Sequence, residues 1–96
     1  GMDCKEIIFS GHAIRRMFER RFTVDEVRAV ITSGETIADY PNDTPYSSCL
    51  LLGFVNKSPV HVVAAMDKPR QTCYVITVYK PDTAQWGADF KTRKLP

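Results

Sequence analysis

Residues 60–80 read VHVVAAMDKPRQTCYVITVYK, and the fold is decided there. Two β-branched, apolar runs, 60–67 and 73–80, flank the polar stretch Lys68-Pro69-Arg70-Gln71-Thr72, which predicts an antiparallel hairpin. Alternation sends Val60, Val62, Ala64 and Met66 to one face, and His61, Val63, Ala65 and Asp67 to the other. In the second run Tyr74, Ile76 and Val78 oppose Cys73, Val75, Thr77 and Tyr79. The all-apolar sets are expected to pack against helices. Pairing Asp67 with Cys73 then gathers His61, Thr77 and Tyr79 on the opposite face. A slip of one residue would separate them.

Upstream, run 47–55 closes at Asn56-Lys57-Ser58-Pro59, and run 35–40 at Pro41-Asn42-Asp43-Thr44-Pro45. Four short runs joined by such turns predict a four-stranded antiparallel meander. From Leu50 to Val55 the chain is apolar nearly throughout. That strand is therefore expected to be buried on both faces or to join copies in a homo-oligomer.

Before the meander the period changes. Thr23-Val24-Asp25-Glu26 is a capping box, with Phe22 and Val27 as its hydrophobic staple. It opens a helix whose buried stripe is Val24, Val27, Val30 and Ile31, ending with Gly34 at the C′ position. Ser10 caps an earlier helix over residues 11–21, with Phe9 and Ile14 at staple spacing and Ala13, Ile14, Met17 and Phe18 as its stripe. About two residues separate the helices, so a two-helix hairpin or sharp corner is expected. Residues 5–9 form a short first strand. Beyond Pro81, Trp86 and Phe90 are expected to anchor the tail. The fold class is α+β, in a single domain over residues 2–96, with Gly1 before Met2 read as a remnant of tag removal.

Composition agrees with a packed core: 44% of residues are hydrophobic and 25% charged, with a net charge of +2. No apolar run approaches the ~20 residues of a membrane helix, and no leader pattern is read at the start. Cys4, Cys49 and Cys73 are odd in number and lack C-x-x-C spacing, so neither a disulfide framework nor a zinc site is expected. Cys49 and Cys73 read as small core residues, and the reducing cytoplasm is the expected location.

The densest polar cluster lies on the first helix, where His12, Arg16 and Glu19 or Arg20 share a face, with Arg15 and Arg21 beside them. Arginines grip phosphate bidentately and histidine moves protons near neutral pH. A metal-independent ribonuclease needs those parts, so His12, Arg16, His61 and Tyr79 are the candidate catalytic residues. Arg15, Arg20, Thr77, Lys91 and Arg93 are the candidate RNA contacts, the last two interleaved with Trp86 and Phe90. The same residues also suit a plainer reading: a solvated helix face with ion pairs, a hydrogen-bonded structural histidine, and a hydrophobically docked tail. Two histidines without paired carboxylates or cysteines give no metal ligand set. With no glycine-rich phosphate loop either, no metal and no other cofactor is expected.

Ser10-Gly11-His12-Ala13, Arg16-Met17, Glu19-Arg20 and the Thr23 box resemble the opening of an uncharacterised bacterial family, the domain of unknown function 4258 group. Tyr40-Pro41-Asn42-Asp43, Leu50-Leu51-Leu52-Gly53, His61-Val62-Val63, Ile76-Thr77-Val78-Tyr79 with Pro81-Asp82, and Trp86 with Asp89-Phe90-Lys91 extend the likeness along nearly the whole chain. More distantly, the element order resembles the RelE- and BrnT-like toxin fold. That resemblance implies RNA cleavage, an antitoxin-like protein partner, and a substrate lying on the sheet face and the edge of the first helix. Two functions follow as expectations: a metal-independent endoribonuclease or weakly active relative, and a non-catalytic module binding RNA or protein.

Overall fold

The computed structural model describes residues 1–95. Its elements are β1 (Glu6–Phe9), α1 (Gly11–Arg20), α2 (Val24–Ser33), β2 (Glu35–Tyr40), β3 (Ser48–Val55), β4 (Ser58–Asp67) and β5 (Thr72–Tyr79). Strands β2 to β5 form the expected antiparallel meander, and β1 adds at the β5 edge in parallel, giving a mixed sheet of order β1-β5-β4-β3-β2. Residues 56 and 57 turn β3 into β4 with φ of 49° and 68°, the left-handed pair that suits the twist of a two-residue hairpin.

Both helices cover one face of the sheet, α1 against β5 and α2 against β3 and β4. The expected two-helix hairpin is thus a corner. Each helix makes its main contacts with strands, because its apolar side chains find more surface there than on the other helix. Ser10 caps α1, its hydroxyl accepting from the Ala13 N–H at 3.0 Å and donating to the Ile76 carbonyl at 3.3 Å. At the other end Arg21 adopts φ 60°, and the Phe22 N–H returns to the Met17 carbonyl at 2.9 Å. The Thr23–Glu26 capping box forms as read.

Three packing expectations are corrected. On α1 only Ala13 and Met17 are buried, while Ile14 and Phe18 stand 55% and 86% exposed; Val24 of α2 is also exposed. A ten-residue helix packed on a single strand, β5, buries a narrower stripe than one set in a bundle. Gly34 ends α2 as expected, with extended rather than left-handed backbone (φ −69°). Glycine is required there because a Cβ would sit 2.3 Å from the Val30 carbonyl oxygen and 2.9 Å from that of Leu52. Gly53 likewise lets Val30 of α2 approach β3.

The cysteine reading is corrected as well: Cys4 and Cys73 form a disulfide. The parallel β1–β5 pairing, Ile7 beside Cys73, carries the N-terminal segment to Cys73 from 69 residues away, a proximity that linear spacing hides. Cys49 is free and buried, and burial pushes its thiol pKa up. Leu50, Leu51 and Leu52 are buried within the chain, which places β3 as an interior strand. No described helix is long and apolar enough to cross a membrane.

Candidate functional site

The register of β4 against β5 departs from simple alternation. Asp67 pairs with Thr72, not Cys73, so the pairing near the turn is shifted by one residue from that expected. An irregularity between Val63 and Ala64 then takes up one extra residue of β5, Ile76, and restores His61 opposite Tyr79 and Val63 opposite Thr77. Such a bulge exchanges the faces of the strand on either side of it. Cys73 and Val75 join Val78 on the helix side, fully buried. Tyr74 joins Thr77 and Tyr79 on the other side.

That second face collects every tyrosine of the chain, four in all. Tyr40 follows the row Tyr40–Ser48–Ala65–Tyr74 across the sheet, and Tyr46, from the loop between β2 and β3, stacks on Tyr74 at 5.5 Å with planes 9° apart. Asp67 raises the Tyr46 phenol pKa, with partial desolvation adding to it. Tyr79 is raised chiefly by burial and further by the neighbouring Tyr40, with Arg93 opposing.

His61 lies beneath the C-terminal tail with no exposed surface. Its Nε2 is 2.7 Å from the Phe90 carbonyl and its Nδ1 3.2 Å from the Tyr79 hydroxyl. A carbonyl only accepts, so Nε2 carries the proton and Nδ1 accepts from Tyr79. Trp86 stands edge-on to the ring at 4.6 Å. Burial lowers the His61 pKa, partly offset by the Phe90 hydrogen bond, so the neutral ring is the resident form near pH 7. The tail is itself pinned: Asp89 accepts from the N–H groups of Lys91 and Thr92, which hold its pKa down.

Beside Tyr79 the surface turns basic. Arg20, Tyr79 and Lys80 line a cavity of about 360 Å³, and Arg20 and Lys80 with Arg21 border a second of about 280 Å³. Arg20 reaches the end of β5, donating to the Val78 carbonyl at 2.7 Å, beyond the point where β1 stops covering that edge. None of Arg20, Arg21 and Lys80 forms an ion pair among the described residues. Arg93 lies over the Trp86 ring at 5.3 Å, on the Tyr79 side. A further recess, about 440 Å³ at the junction of α2 and β3, holds Lys91 as its cation, tied to Glu35 at 2.9 Å.

The structure therefore brings His61, Thr77, Tyr79 and Arg93 to one face, with Arg20 at its edge. It does not bring His12 to them. His12 and Arg15 are exposed on α1, on the helix side of the sheet, and Arg16 is paired with Glu19 at 2.9 Å. Tyr40, Tyr46, Tyr74 and Lys80 were not among the candidate site residues, and Tyr74 was expected on the face opposite Tyr79, because the bulge leaves no mark in the alternation of apolar residues. The one usable signal was Tyr46 next to a proline turn. Among the described residues no three His, Cys, Asp or Glu side chains are grouped to hold a metal ion.

Neither the curated proteins nor the solved structures contain a match to this chain. A match exists at the level of the family: residues 9–80, from the end of β1 through both helices and the whole meander, fit the family described as a domain of unknown function (DUF4258). On that span the chain belongs to the DUF4258 family.

Proposed function

We propose that this domain binds single-stranded RNA across its tyrosine-lined sheet face. The observation that carries the reading is the gathering of all four tyrosines on that face, with Arg20, Lys80 and Arg93 at its Tyr79 end. Sequence-tolerant binding of single strands combines those two elements: aromatic rings on which bases stack, and a cationic track for the phosphates. The resemblance to RelE- and BrnT-like toxins supports RNA as the polyanion, and the sheet face and α1 edge as its place.

Cleavage is the second reading, and the Tyr79–His61 hydrogen bond favours it, as a route for a proton at the lip of the basic cavity. For Tyr79 to act as base, its proton must move to His61 Nδ1. Burial opposes that transfer at both ends, raising the tyrosine pKa and lowering that of the histidine. Binding is therefore the stronger reading of this geometry.

The test uses a labelled mixed-sequence RNA in EDTA, titrated with salt, with Arg20→Ala and Lys80→Ala alongside. Retention that weakens steeply with salt, with a slope reduced by about one per cation removed, is expected. Absent or salt-indifferent retention overturns the proposal. Cleavage lost in Tyr79→Phe would promote the second reading over the first.

A further inference from the structure

At the far end of β5 from Tyr79, the loop between β2 and β3 folds over the second face and leaves a cavity of about 320 Å³. That volume is in the range of small-ligand sites. Its walls are Pro45, Tyr46, Tyr74 and Ile76 over a floor of Ala65, and Asp43 is its one charged lining residue. The bulge makes this cavity. Without it Tyr74 would point to the helix side, and Ile76 would not stand 39% exposed at the rim. Tyr46 and Tyr74 already form a parallel stack that a third flat ring can continue. The Asp43 carboxylate accepts from the Ser48 hydroxyl and contributes only acceptors.

We infer that this cavity is a base-binding subsite for one unpaired nucleobase, preferring bases that bear amino donors over uracil. The inference rests on the RNA reading above and deepens it. Flat apolar walls suit the π-face of any base, whereas a carboxylate suits the amino groups of adenine, cytosine and guanine, and repels the two carbonyls that flank the single N–H of uracil. Five residue steps along β5, about 16 Å of strand, separate Tyr74 from Tyr79. A short stretch of RNA thus spans the two sites, its phosphates at Arg20 and Lys80 and its selected base between the loop and the sheet. The cations supply affinity, and the cavity supplies choice.

The test compares oligoadenylate, oligouridylate and free adenosine, which has no phosphate, on wild type and on Ala65→Leu, which fills the floor. Tyr46→Ala, which removes a loop wall outside the sheet, guards against misfolding of the first variant, and Arg20→Ala probes the cationic track. Wild type is expected to prefer oligoadenylate about tenfold, the scale of one stacked base. Both cavity variants should lose that preference, weakening oligoadenylate more than oligouridylate, and Arg20→Ala should weaken both polymers alike. Adenosine should shift the NMR resonances of Tyr46 and Tyr74 in wild type only. RNA binding with equal affinities, unchanged in the cavity variants, overturns the subsite and leaves the RNA reading standing. Adenosine bound at Tyr46 and Tyr74 without RNA binding keeps the subsite and removes the RNA reading; binding of neither removes both.

Discussion

The two faces of this sheet are built from opposite materials. The helix side is aliphatic and closed: Val27, Ile31, Leu51, Val62, Val75 and Val78 have no exposed surface, and both helices pack over that side. The other side holds the four tyrosines, His61, Thr77 and Trp86, and is covered only by a loop and a tail without regular structure. One face is a folding core, which tolerates little change in volume. The other is held by directional contacts, each bond with a named partner, and it remains open between the loop and the tail. The contrast teaches where stability and recognition separate, and it predicts that damage to the two faces reads out differently.

The largest expected effect is on the helix side. Breaking the Cys4–Cys73 bond, by reduction or Cys4→Ser, releases a chain loop of 69 residues and is expected to cost about 4 kcal/mol of stability by loop entropy. Urea unfolding with and without reductant measures it, and an unchanged midpoint would remove the disulfide from the stability of this face. Next comes Leu51→Ala, fully buried against α2 and β4, at about 3 kcal/mol, with RNA affinity unchanged below the melting temperature.

The second face should respond to pH instead. His61 has a folded pKa below its ordinary 6.5, so its contribution is complete above pH 6.5 and is lost as pH falls towards the folded value. Stability is expected to decline as pH falls below 6.5, and a His61→Gln variant to decline less over the same range. Parallel declines in the two proteins would assign the effect elsewhere. The smallest effect is that of Tyr79→Phe, which strands His61 Nδ1 without its donor at a cost of about 1 kcal/mol. Its ring stays in place, so RNA retention should persist; strongly weakened retention would mean that the hydroxyl, not the ring, meets the ligand.

Much of this was legible in the chain. The capping box at Thr23, the Ser10 cap, the turns at residues 41–45, 56–57 and 68–71, and the β-branched runs fixed element types and the antiparallel meander, because each depends on neighbours within a few residues. His61, Thr77 and Tyr79 were placed together correctly, although by a pairing that the structure replaces. Their meeting required an extra residue in β5, and the run 73–79 is apolar on both sides of that residue, so no alternation marks it.

Local chemistry alone thus determined the α+β class, the helix starts and the antiparallel meander of the last four strands. Tertiary structure decided the rest: that β1 joins β5 in parallel and sets Cys4 against Cys73, that Phe18 faces outward, that His12 and His61 lie apart, and that the tail seals His61. It also decided that a single bulge turns Tyr74 to the face of Tyr79. The physical reason is range. Caps and turns are settled by hydrogen bonds a few residues long, whereas register, disulfide partners and shared faces are settled by packing between segments tens of residues apart.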